Sequence, residues 1–268
     1  MLQELQVYLL IGGLPEAVAS YLEEKDFLRV QKVQQSLLMG YREDFHKYAS
    51  RAQILPLNTV FQSIPRLVGK KFKYSEVHEQ LRSRELSAAL ELLEQAGLAY
   101  KVYHSSCQGL PLASQINPKK FKVFSLDIGL CQRLLNVDLA QSFALKQDWS
   151  PHKGGLAEQF VAQELVSYGF EQARPELHCW YREERGSQSE MDFVVPLVTK
   201  QGTKIIPLEV KSERSHGLRS LGVFLDEKRK NSSFGIVISF QGFKEKEKVK
   251  YIPLYAVWML QELNKKEP

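Results

Sequence analysis

The stretch "IIPLEVKSE", Ile205 to Glu213, sets Glu209 and Lys211 inside a run that otherwise has the composition of a core strand. Side chains alternate across a strand, so Glu209 and Lys211 share one face while Ile206, Leu208 and Val210 share the other. Two opposite charges then stand side by side. One reading is a half-buried strand with a solvated polar face. The other is a charged constellation that serves chemistry.

The preceding strand carries the same interruption. In "SEMDFVV", Ser189 to Val195, Glu190 and Asp192 lie on one face and Met191 and Phe193 on the other. The turn "TKQGTK", Thr199 to Lys204, predicts an antiparallel hairpin that brings Asp192 close to Glu209 at one end of the sheet. Like charges at that spacing repel, and a cation offsets the repulsion. Hard divalent ions such as magnesium or manganese take a few carboxylates, a carbonyl and water. The predicted metal ligands are therefore Asp192, Glu209 and the backbone carbonyl of Val210, with Lys211 beside the attacking water. A metal-bound water of lowered pKa next to a lysine is suited to phosphodiester hydrolysis. Upstream, "GLAEQFVAQELVSYG" has helical spacing, with Leu156, Phe160, Val161 and Leu165 as its packed stripe and Glu158 at the edge of that stripe. Glu158 is the auxiliary ligand of the set; its alternative reading is a first-turn carboxylate favoured by the helix dipole.

Composition sets the bounds. The 268 residues are 44% hydrophobic and 25% charged, the balance of an ordinary globular protein of one or two domains. The start has no basic stretch, and its apolar run Val7 to Ile11 stops at Gly12-Gly13, so neither a secretory signal nor a membrane span is expected and the location predicted is cytoplasmic. Cys107, Cys131 and Cys179 are far apart, which supports neither a disulfide framework nor a thiolate zinc site. The six histidines lack zinc-ligand spacing. A net charge of +5 is compatible with a nucleic-acid partner without requiring one.

Along the chain, Val7 to Ala52 has helical spacing. Three helices follow, one around Val60 to Val68, one near Tyr74 to Gln80 and one from Arg84 to Ala96, and then strands Ala99 to His104 and Phe121 to Leu126. Three helices and a hairpin suggest a winged helix. Its third helix buries Leu86, Leu90 and Leu93 and turns Glu91 and Glu94 outward, the wrong charge for reading DNA. Lys70, Lys71 and Lys73, and Lys119, Lys120 and Lys122, remain as basic clusters that either touch a phosphate backbone or form a solvated face. A domain boundary is placed near 150, giving units 1–150 and 151–268. The second unit alternates helices with strands His178 to Arg182, Glu190 to Val198, Lys204 to Lys211, Phe234 to Ser239 and Tyr251 to Val257, with a helix from Leu218 to Lys230, which predicts a mixed sheet flanked by helices. "KEKEKVK", Lys244 to Lys250, reads as a solvated turn, and Trp180, Tyr181 and Trp258 read as core.

The order of a helix Glu, a hairpin Asp and a Glu-x-Lys strand followed by a helix resembles the PD-(D/E)-x-K, restriction-endonuclease-like superfamily over Gly155 to about Val257, with Met191 where a proline is usual. A wider resemblance rests on "GGLPEAV" (Gly12 to Val18), "YREDFHKYA" (Tyr41 to Ala49), "LLEQAGLAY" (Leu92 to Tyr100), "KVFSLDIGL" (Lys122 to Leu130) and "GGLAEQFVAQEL" (Gly154 to Leu165). These look like the C-terminal region of a family of prokaryotic AAA-type P-loop ATPases, a domain of unknown function with a winged-helix part and a nuclease-like part. The resemblance implies a fold that is α/β and α+β, with a helical and winged-helix unit before a restriction-endonuclease-like sheet. It also implies catalytic roles for Glu158, Asp192, Glu209 and Lys211. No G-x-x-x-x-G-K-[ST] run is present, so no ATP site is expected in this chain. The expectation is a truncated or split member with magnesium or manganese as cofactor and DNA, a protein or an ATPase acting in trans as partner. The alternative is a non-enzymatic module that binds DNA or protein.

Overall fold

The computed structural model describes residues 2–144, 153–168, 176–184, 189–200, 202–211 and 218–265. The boundary expected near 150 lies outside them. Chain contacts define two units, one of residues 1–100 and 123–163 and one of residues 101–122 and 164–268. Each is therefore assembled from two separate stretches of chain.

In the first unit the expected helical region resolves into α1 (Leu2–Ile11), α2 (Pro15–Glu24) and α3 (Phe27–Tyr48), followed by α4 (Arg51–Leu67), α5 (Tyr74–Val77) and α6 (Ser83–Gln95). The caps account for several starts. Pro15 occupies the first turn of α2, where its missing N–H costs nothing, and the Asp26 carboxylate accepts the Leu28 N–H at 2.8 Å to open α3. Leu10, Ile11, Ala17, Phe27, Val30 and Leu139 form one core of this unit. In α6 the expected stripe Leu86, Leu90 and Leu93 is fully buried.

Strands β1 (Ala99–Ser105) and β2 (Ile116–Ser125) follow, then α7 (Ile128–Leu134), α8 (Leu139–Ala144) and α9 (Lys153–Tyr168). Asp127 caps the start of the short α7, and three of the quoted motifs meet there. The buried Asp127 carboxylate accepts the N–H groups of Gly13 at 2.7 Å and Leu130 at 3.0 Å, and Gln163 of α9 accepts the Ile128 N–H at 2.8 Å. Gln159, one turn earlier on α9, bonds both the N–H and the C=O of Ser125 at 2.8 Å. Burial holds the Asp127 carboxyl above its ordinary range, against the pull of these donors. Gly12, at φ +79°, leaves no room for a side chain, because a Cβ there would lie 2.2 Å from Asp127 Oδ1. Gly12→Ala is expected to destabilise the protein by about 2 kcal/mol through left-handed strain and displacement of that carboxylate, read as a fall in urea midpoint.

The second unit continues with β3 (Leu177–Tyr181), β4 (Glu190–Thr199), β5 (Gly202–Lys211), α10 (Arg219–Glu227), β6 (Gly235–Ser239), β7 (Lys244–Lys246), β8 (Val249–Pro253) and α11 (Met259–Lys265). Its sheet is eight-stranded and mixed, in the order β2-β1-β3-β4-β5-β6-β8-β7. β4 and β5 form the expected antiparallel hairpin, with Thr199 opposite Gly202 and Phe193 opposite Leu208. β1 pairs in parallel with β3, Val102 opposite Leu177, so a strand placed with the preceding helices extends the later sheet. α10 carries the parallel crossover from β5 to β6. Trp180, Met191, Val194, Ile205, Leu221, Phe224 and Val237 form the core between sheet and helix.

Three expectations are corrected here. "KEKEKVK" is an exposed edge hairpin, with Glu245 of β7 opposite Lys250 of β8, because alternating charges suit a strand at the rim of a sheet. The strand expected to run to Val257 stops at Pro253, where the chain enters a 3-10 turn over Leu254–Ala256. Trp258 is 47% exposed, whereas Trp180 is core as expected.

Candidate functional site

The hairpin register places Asp192 beside Glu209, as the turn between them requires. Both are buried, at 7% and 8% exposure, so the reading of Glu209 on a solvated face is overturned: both faces of β5 are covered from Ile205 to Val210. Asp192 Oδ2 accepts the Val210 N–H at 2.8 Å, which ties the carboxylate of one strand to the backbone of the next. Lys211 Nζ lies 2.6 Å from Glu209 Oε1 and retains partial exposure.

A second lysine completes the group. Lys122 of β2 has no exposed surface, and its Nζ donates to Asp192 Oδ1 at 3.0 Å. The basic cluster to which it was assigned is therefore divided: Lys119 is exposed, Lys120 pairs with Glu183 at 2.6 Å, and Lys122 is core. The available signal was its position inside the run Phe121 to Phe124, where it is the one charged residue among apolar ones.

Three carboxylates and two amines interact in this space. Burial, and then the neighbouring charge of Asp192, raises the Glu209 pKa to about 7, against the pull of Lys211. Burial also raises Glu190, with Lys122 and Lys211 pulling it down and Asp192 pushing it up. Burial pushes the Cys179 thiol up to about 12, with Lys122 opposing, so it is no nucleophile at neutral pH. All three cysteines are free and buried.

Glu158 belongs to the first unit. It is half-buried on α9, where a Cβ on Gly69 would lie 3.0 Å from its Oε1. Asp192, Glu209 and Lys211 are brought together in the second unit, and Lys122 is the member that the sequence reading did not include.

Among the described residues no group of three or more His, Cys, Asp or Glu side chains is arranged to hold a metal ion. Magnesium nevertheless takes as few as one or two carboxylates from a protein and completes its shell with water and phosphate oxygens. Asp192 and Glu209 are hard oxygen donors whose mutual repulsion is expressed in the raised Glu209 pKa, so the donor set fits such an ion in kind. Lys211 is the group that it would displace.

Residues 2–141, more than half of the chain, match the sequence family of a domain of unknown function, DUF8612. The chain belongs to the DUF8612 family. Residues 153–257 match a second domain of unknown function, DUF4143. No curated protein and no solved structure matches the chain. The DUF8612 segment contains β1, β2 and Lys122, while Asp192, Glu209 and Lys211 lie in the DUF4143 segment. The sheet thus takes strands from both. Among the described residues no helix is long and apolar enough to cross a membrane.

Proposed function

We propose that this protein is a metal-dependent nuclease that hydrolyses phosphodiester bonds of DNA, with a restriction-endonuclease-like second unit that takes β1 and β2 into its sheet and a helical first unit as scaffold. The observation that carries the reading is the meeting of Asp192, Glu209 and Lys211 at one end of the β4–β5 hairpin, with the two acids buried side by side. A bound magnesium or manganese ion would supply a Lewis acid for the phosphate oxygen and a water of lowered pKa. Asp192 and Glu209 would hold that ion. Lys211 is exposed enough to leave Glu209 and orient the attacking water, whereas Lys122 keeps Asp192 in place.

Purified protein should cut plasmid or single-stranded DNA with magnesium or manganese. Asp192→Ala and Glu209→Ala should each lower the rate at least a hundredfold, and Lys211→Ala should lower it by a similar factor. Uncut DNA with either ion, together with equal manganese affinity in Asp192→Ala, would end the proposal.

One observation favours a second reading. Asp192 and Glu209 each already have an amine partner, the arrangement of a closed ion network in a binding module for DNA, a protein or an ATPase acting in trans. Millimolar magnesium should raise the melting temperature of a metal site and leave that of a closed network unmoved.

A further inference from the structure

We propose that Lys122 stands where a second metal ion would stand, so that Asp192 and Glu209 form a one-ion site; the inference rests on the metal-dependent reading above. Two-ion sites hold their ions about 3.5–4 Å apart, commonly with a shared carboxylate that gives one oxygen to each. At Asp192 the two oxygens are differently committed. Oδ1 faces the Lys122 ammonium at 3.0 Å, and Oδ2 faces the Val210 N–H at 2.8 Å on the strand that carries Glu209. A divalent ion on the Oδ2 side would lie toward the strand that carries Glu209, whose register position is opposite Asp192. On the Oδ1 side it would meet a cation that has no water to withdraw into, because Lys122 is wholly buried.

Charge counting points the same way. Glu190, Asp192 and Glu209 contribute three negative charges, and Lys122 and Lys211 contribute two positive ones. A first divalent ion takes the sum to +1, and a second takes it to +3 around the buried Lys122, Asp192 and Glu209, where uncompensated charge is strongly disfavoured. Lys211 can relieve the first ion by swinging outward from its partly exposed position. Lys122 cannot. It is a positioning residue that fixes Asp192 and a built-in cation that sets the number of ions.

The test is a calorimetric titration of the full chain with manganese, with free manganese counted by electron paramagnetic resonance. The expected result is one ion per chain, with affinity reduced at least tenfold in Asp192→Asn. Lys122→Gln keeps a hydrogen-bond donor for Asp192 and removes the charge, so a folded Lys122→Gln protein should bind manganese at least tenfold more tightly. Two ions per wild-type chain, or unchanged or weaker affinity in folded Lys122→Gln, would overturn the inference and leave the metal-dependent reading standing. Wild-type protein that takes up no ion would remove that reading and the inference with it. If Lys122→Gln does not fold, the wild-type count decides.

Discussion

Lys122→Ala is expected to destabilise the protein by about 3–5 kcal/mol, measured by urea denaturation at neutral pH, because it strips a buried carboxylate of its counter-charge. Asp192 would keep the Val210 N–H and would face Glu209 and Glu190 without the ammonium that now lies 3.0 Å away. The lost volume adds to the cost, since Lys122 is among the largest of the fully buried side chains. The double variant Lys122→Met/Asp192→Asn should recover most of the loss, because methionine fills the space and the asparagine oxygen still accepts from Val210. A strongly favourable coupling in the double-mutant cycle identifies the ion pair as the cause. If Lys122→Ala costs less than about 1 kcal/mol, Asp192 is hydrated and the buried-pair description is wrong.

Stability should fall as pH rises from about 4.5 to about 7, by up to roughly 3 kcal/mol from Glu209 alone, and then level off. The sign follows from the proton count. Glu209 is harder to ionise folded, with a pKa near 7, than unfolded, near 4.5, so between those values the folded state holds the extra proton and deprotonation favours unfolding. Glu190 and Asp127, also raised by burial, contribute in the same direction. Glu183, whose pKa is lowered first by its hydrogen bond to Lys120, titrates below this window, whereas burial lowers the His178 pKa, so that His178 opposes them as the pH rises toward 6.5. Urea midpoints at pH 5, 6, 7 and 8 check this, and Glu209→Gln should flatten much of the slope. Equal slopes in wild type and Glu209→Gln would show that the carboxyl ionises normally. Millimolar magnesium at pH 8 should restore part of the loss by supplying the missing positive charge.

The sequence was most informative where contacts are local. A turn of fixed length sets the β4–β5 register, and the register sets Asp192 next to Glu209, so that half of the site follows from alternation and hairpin geometry. Alternation cannot say whether the second face of a strand is covered, which is why Glu209 could be read as solvated and Lys122 as a surface lysine. The pairing of Lys122 with Asp192 spans 70 residues, and nothing in either segment specifies the other. The parallel joining of β1 to β3 is equally non-local. Gln159 and Gln163 were missed because a glutamine on an apolar helix face carries no periodic signal; only the neighbouring backbone groups of Ser125 and Ile128 explain it.

Strand β1 bonds to β3 and Lys122 reaches β4, so residues 101–122 are structural property of the later unit although they are written into the earlier family segment. Recombination at the family boundary would leave β3 with a bare edge and Asp192 without its amine. The stretch that folds as one sheet, from β1 to β8, is thus longer than the stretch that the second family covers.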